Sequence, residues 1–389
     1  MAVKIVRQTN KIALLGAPTS AAAMSAGLEG APTALRAAGL VDRLKSIGYA
    51  VADLGDDPVQ LYKPDEESPR ARNLTRVLAS LESLKPRVEQ AVKSSALPLI
   101  LAGDCSVALA TVAGARRYFR KVSMIYMDRD ADLHTPATTV SGCVDGMVVS
   151  HLAGRGAAEL VRFWGEPPLV REPDLALFGV ARLDPAEEQL LATSPLRRYL
   201  ASDVQRRGAA AAARAAIDRI RGNGYQFVLH FDVDVIADFA ATNYPGSGGL
   251  SLAEVREALL VFAQQPELAA FELTAYNPTK DPDGSGAKLI LDLLTEILEA
   301  RLKTLQAAAA AAEPPPVAAA AAAGRASGAS SDKAASAQDA SPAAAPGEAW
   351  SSDSLDLDPD AASSDDATDT TDASETSDGS SEESSGSHS

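Results

Sequence analysis

Short, mostly apolar runs recur along the chain at residues 12–15, 49–54, 97–101, 122–127, 175–178, 227–231 and 269–274. They lack the sustained alternation of a strand with one wet face, and so predict strands buried on both sides. Between them the apolar spacing changes to the helical period. Thr33 is a candidate N-cap for a helix over 34–38, and residues 40–45 continue helical until Gly48. Leu74, Val77, Leu78, Leu81, Leu84 and Val88 mark one face of a helix over 71–95. Pro86 is expected to kink or divide that helix, because it lacks an N–H and crowds the preceding turn. Further helices are predicted after Ser106 and near 148–152, 209–221, 252–264 and 286–304, and residues 180–185 read as a strand-to-helix crossing. Strands alternating with helices predict a three-layer α-β-α chain of the α/β class with a mostly parallel central sheet. In such sheets ligands sit at the carboxyl ends of the strands.

From about Gln306 the pattern stops. The sequence becomes alanine blocks around Pro314-Pro315-Pro316 and then Ser, Asp, Thr and Glu. With little bulky apolar surface to bury, such a segment cannot offset its ordering entropy. The expected organisation is one domain over 1–305 and a disordered acidic tail over 306–389, whose alanines have helix propensity but no packing face. The tail carries most of the charge: the net value is −16, and the nine Asp and three Glu of 351–389, with no Lys or Arg, supply −12 of it. The rest is only mildly acidic, and no basic stripe points to nucleic acid. No apolar run is long enough to span a membrane, residues 1–7 lack a signal-peptide pattern, and two cysteines make no disulfide framework, so the expected location is cytoplasmic.

Candidate chemistry gathers at two strand ends. Asp128, Asp130 and Asp132 follow the 122–127 run at alternating positions, and Asp232 and Asp234 follow the 227–231 run. If the extended geometry persists, alternating side chains converge on one side. Converging carboxylates repel unless protons, arginines or cations neutralise them. A shared metal site is one reading and solvated loop acids the other; Arg129 is the nearest arginine partner.

These residues, taken with their neighbours, make the chain resemble the arginase/agmatinase/formiminoglutamase (ureohydrolase) family over roughly 11–300. The resemblance rests on Ala102-Gly103-Asp104-Cys105-Ser106, Asp128-Arg129-Asp130-Ala131-Asp132 and Phe231-Asp232-Val233-Asp234. It is supported by Gly16-Ala17-Pro18, Glu29-Gly30-Ala31-Pro32, His134-Thr135-Pro136, Thr138-Thr139, Ser141-Gly142, Asp184-Pro185, Gly248-Gly249-Leu250 and Asn277-Pro278. The resemblance implies two divalent metal ions, manganese in the family, whose bridging hydroxide attacks a guanidinium carbon and releases urea. Carried over, the metal positions are Cys105, Asp128, Asp130, Asp132, Asp232 and Asp234. Cys105 and Asp130 stand where the family has histidines. Asp145 occupies the proton-shuttle position, and His134, Thr139, Ser141 and Asp184 occupy substrate-binding positions. Ala275 replaces the glutamate that grips the guanidinium, with Glu272 three residues upstream. A homo-oligomer, a trimer or hexamer, is also implied.

The replacements have physical consequences. Five Asp and a thiolate would put six negative charges against two dications, weakening the ions as Lewis acids. A thiolate moves the preference toward zinc or iron. Individual residues keep plainer alternatives: Cys105 as a small buried residue, Asp145 as a helix N-terminal acid, His134 as a loop hydrogen-bonder, Cys143 as core or loop. His151 reads as a satisfied core histidine, and His230 as packed against the sheet. The expected function is metal-dependent hydrolysis of a C–N bond in a guanidino or amidino small molecule. The alternative is a catalytically silent relative that binds a metal or small ligand or serves as an oligomeric platform. Deleting residues 306–389 is expected to leave thermal unfolding and any activity unchanged; a large loss of either would show that the tail does more than solubilise.

Overall fold

The computed structural model describes residues 8–221 and 226–312. Eight strands form one sheet: β1 (Lys11–Ala17), β2 (Ala50–Asp56), β3 (Leu97–Ala102), β4 (Val122–Met127), β5 (Leu175–Val180), β6 (Arg197–Leu200), β7 (Gln226–Asp232) and β8 (Leu268–Thr274). Their order is β2-β1-β3-β8-β7-β4-β5-β6, and every pairing is parallel. The main helices are α1 (Ala31–Ala37), α2 (Leu40–Ser46), α3 (Leu74–Lys93), α4 (Ala108–Arg116), α5 (Val148–Leu152), α6 (Ala158–Val161), α7 (Pro185–Thr193), α8 (Ala201–Arg207), α9 (Ala209–Arg221), α10 (Leu252–Ala263) and α11 (Ser285–Ala312).

Strand alternation divides the core between two faces. Ile12, Leu14, Leu99, Leu101, Ile125, Leu229 and Phe271 pack with residues of α1, α2 and α8 to α11. Their neighbours Ala13, Leu15, Ile100, Met124, Tyr126, Val228 and Ala270 pack with α3, α4 and α5. This is the three-layer arrangement expected from the continuous apolar runs.

Several details differ from the expectation. The helix over Leu74–Lys93 runs unbroken through Pro86. Its buried face (Leu81, Leu84, Val88) packs on α4 so closely that a Cβ on Gly114 would lie 2.8 Å from Val88, and tertiary packing outweighs one missing N–H. The edge strand β6 was not foreseen, because Arg197 and Arg198 interrupt its apolar pattern; α8 was not foreseen either, while α7 starts where the crossing at 180–185 ends. The closing helix extends through Ala312 instead of ending near 304, so the expected boundary at 305 falls inside it. Residues 306–312 are helical yet almost wholly exposed, as alanine propensity without packing allows. The disorder expected for 313–389, and the reading of residues 1–7, lie outside the described residues. His151 is buried, and its Nε2 accepts from Ala157 N–H at 3.0 Å. No helix among the described residues is long and apolar enough to cross a membrane.

Gly103 ties three strand ends together. Its N–H donates to Ala17 O at 3.0 Å and its carbonyl accepts from Ala275 N–H at 2.7 Å. A Cβ there would lie 1.7 Å from the backbone oxygen of Thr19. Gly103→Ala is therefore expected to cost about 2 kcal/mol or more, read as a lowered urea midpoint; an unchanged midpoint would mean that the β1 and β3 ends can separate freely.

Candidate metal centre

Both acidic segments open on the carboxyl edge of the sheet, into a cavity of about 320 Å³. Asp104 builds its first wall. That buried carboxylate accepts from Thr19 Oγ1, Ala22 N–H and Ser106 N–H at 3.0, 3.0 and 3.2 Å, which fixes the loop after β3. The loop presents Cys105, whose Sγ donates to Asp232 Oδ2 at 3.0 Å and lies 3.4 Å from Thr274 Oγ1.

The second wall follows β4, where the extended geometry does not persist. Asp132 has a φ of +50°, and the three acids take different environments. Asp128 accepts from Asp130 N–H at 2.7 Å. Asp130 turns outward to a bidentate pair with Arg182, at 2.5 and 2.7 Å. Asp132 accepts from Tyr126 O–H. After β7, Asp232 Oδ1 accepts from Asp234 N–H at 2.7 Å. Arg129, the arginine anticipated from the sequence, is buried and donates to Asp234 Oδ2 at 3.2 Å and to Tyr244 O at 2.6 Å. Asp234 Oδ1 is buried without a hydrogen-bond partner among the described residues.

Cys105, Asp128, Asp130, Asp132, His134, Ser141, Asp145, Asp184, Asp232 and Asp234 all line the cavity. Thr139 does not; its hydroxyl accepts from Gly142 N–H at 2.9 Å and shapes the loop. Asp184 caps α7, accepting from Ala186 and Glu187 N–H, and pairs with His134 Nε2 at 2.8 Å. The two substrate-binding candidates thus satisfy each other. Asp145 accepts from Cys105 N–H at 2.8 Å and from Tyr244 O–H at 3.1 Å. Cys143 also lines the cavity. Arg182, Glu187 and Tyr244 belong to the lining too; no periodicity or motif singled them out in the sequence.

His230 was read as sheet packing, and it does stack on Tyr126, with ring centroids 4.0 Å apart. It also joins the donors. One ligand atom each from Cys105, Asp128, His230 and Asp232 lie within 4.8 Å of one another, all from buried residues. The signal was available: His230 and Asp232 stand at i and i+2, on one side of β7.

Burial is the main cause of the shifted acidities here. It pushes Asp128, Asp132 and Asp232 well above the usual carboxylate range, with neighbouring aspartates adding to the rise. Burial raises Asp145 to about 7 and Asp234 to about 6. The Cys105 thiol is pushed up by burial and then by Asp232. A cation would relieve the repulsion in such a cluster. The donor chemistry fits one at Cys105, Asp128, His230 and Asp232. A second group, Asp128, Asp130 and Asp234, has its atoms equally close, but two of its three acids already hold guanidinium groups.

The fold and this site define a parallel α/β protein with an acidic pocket at its strand ends. A family model described as Arginase family matches residues 10–299, and the chain belongs to that family. The arginase of Bacillus subtilis (strain 168) is 29% identical over 294 residues, covering 75% of this chain and 98% of that protein. Crystal structures of the arginases from Bacillus cereus and Bacillus caldovelox, each 27% identical, superpose with TM-scores of 0.69 and 0.70, covering 74% of this chain and 98% of each.

Removing a buried ion-pair partner leaves an uncompensated charge, which costs about 3–5 kcal/mol. Arg129→Met is expected to lower the stability of metal-free protein toward that range in urea denaturation at neutral pH. A loss below about 0.5 kcal/mol would mean that Asp234 is neutralised some other way.

Proposed function

We propose that the protein is a metal-dependent hydrolase that cleaves a C–N bond in a small guanidino or amidino compound. The observation that carries this reading is the convergence of Cys105, Asp128, Asp132, Asp232 and Asp234 on one buried cavity wall. Repelling acids are held together there by loops built to present them. A cavity of about 320 Å³ suits a small molecule, and its acidic wall attracts a cationic amidine. The chemistry a bound divalent cation supplies is polarisation of the amidine and acidification of water.

The chain's own residues supply positioning and proton handling. Asp145 is held by Cys105 N–H and Tyr244 O–H and itself lines the cavity, which places a buried carboxyl group where it can exchange a proton with a bound molecule. The His134–Asp184 pair at the rim, with Ser141 nearby, offers polar contacts for the far end of a substrate. Glu272 does not replace the missing guanidinium-gripping acid, since it is fully buried beneath the cluster and bonded to His230 at 2.7 Å. Ala275, at the gripping position, is buried and apolar. The substrate is therefore expected to differ from free L-arginine. A homo-oligomeric assembly is part of the same reading.

One observation favours the second reading, a silent ligand-binding relative: Arg129 and Arg182 already neutralise part of the acidic cluster. Turnover decides between them. Metal-loaded full-length protein is expected to release urea or ammonia from at least one guanidino or amidino compound. The Asp232→Ala/Asp234→Ala variant should be slower by roughly 10³-fold, and chelator should abolish the activity reversibly. A screen in which no such compound turns over, with metal demonstrably bound, would leave the silent reading.

A further inference from the structure

We propose that the pocket holds a single borderline divalent cation of the zinc type on Cys105, Asp128, His230 and Asp232, with the guanidinium groups of Arg129 and Arg182 in place of a second cation. This rests on the metal-dependent reading above and changes its ion count and donors.

Strand register places the donors. Tyr126 pairs with His230 across β4 and β7, and His230 with Glu272 across β7 and β8. One row nearer the carboxyl edge, Asp232 pairs with Thr274. His230 therefore sits directly below Asp232, on the same side of its strand. Its Nδ1 is 2.7 Å from Glu272 Oε1, in the manner of a carboxylate that orients a metal-binding imidazole. The other nitrogen, Nε2, is left with a 3.5 Å contact to Thr274 Oγ1, and that hydroxyl is 3.4 Å from Cys105 Sγ. An imidazole thus re-enters the donor set from the sheet, after both loop histidine positions have become Cys105 and Asp130. Thiolate and imidazole donors together favour zinc over manganese. Four protein donors suffice to hold a zinc ion.

The opposite side of the cluster is arranged for guanidinium groups. Arg182 takes both oxygens of Asp130, and buried Arg129 takes Asp234 Oδ2. Two cationic side chains balance two carboxylates, while a thiolate and two carboxylates face one dication. Asp234, whose Oδ1 is buried without a hydrogen-bond partner among the described residues, has a carboxylate oxygen within 4.8 Å of one of Asp128 and marks where the two halves meet.

The test uses the full-length chain, stripped with chelator, loaded with zinc and freed of excess. Metal content and zinc-edge X-ray absorption are then measured on the unmodified protein. The expected result is about one ion per chain, with one sulfur neighbour near ~2.3 Å and at least one imidazole near ~2.0 Å. The imidazole signature should persist in His134→Asn, and the sulfur should disappear in Cys105→Ser. Glu272→Gln, with its fold checked by circular dichroism, should weaken zinc about 10–100-fold in competition with a chromophoric chelator. Two ions per chain, a shell without sulfur, loss of the imidazole in His134→Asn, or manganese bound in preference to zinc would overturn this assignment and leave the hydrolase reading standing. Failure to bind either ion would overturn both.

Discussion

Carboxylates gathered away from water are the constraint on which the carboxyl edge of this sheet depends. Asp104, Asp128, Asp132, Asp145, Asp232 and Asp234 are all buried within a few strand ends of one another. Each would prefer water or a proton to the company of the others. Asp104 answers with a full set of hydrogen bonds and becomes structure. Asp234 answers with Arg129. Asp130, the most exposed of the cluster's acids, reaches out to Arg182. Asp128 and Asp232 retain mainly one another, the Cys105 thiol and turn N–H groups.

This division explains why the departures from the family's pattern belong together. Cys105 and Asp130, at the two positions where the resemblance implies histidines, carry acidic groups. Arg129 and Arg182 place positive charge on the Asp130 and Asp234 side, and His230 places an imidazole on the other. Single replacements read alone suggest a decaying site. Read with their partners, they describe a site whose charge has been redistributed. Ala275 has no compensating neighbour of that kind, since Glu272 is committed below the sheet.

The rim follows similar rules on a smaller scale. Asp184 caps α7 through a capping box with Glu187, and Glu187 in turn accepts from Leu133 N–H at 3.0 Å. The residues that resemble substrate ligands are thus also what holds the loop after Asp132 in place. His134 is anchored to that framework through Asp184. Changes at the rim will move the cavity wall as well as its polarity.

Continuous apolar runs, acidic strand ends and helical periodicity determined the class of fold, most elements, and the edge of the sheet where the site lies, because parallel strands buried on both faces have a local pattern of their own. The motifs around Cys105, Asp128 and Asp232 likewise named the acidic part of the cavity wall. What periodicity could not supply was anything depending on which strands are neighbours. The β3-β8-β7-β4 order and its register put His230 beside Glu272 and beneath Asp232, where it looked from sequence like ordinary packing. The same long-range arrangement directed Arg182 to Asp130 and Arg129 to Asp234, so that acids evenly spaced along the chain became unequal in space. Pro86 inside a helix and the polar strand β6 follow the same logic. Local rules disfavoured both, and packing against distant residues decided them.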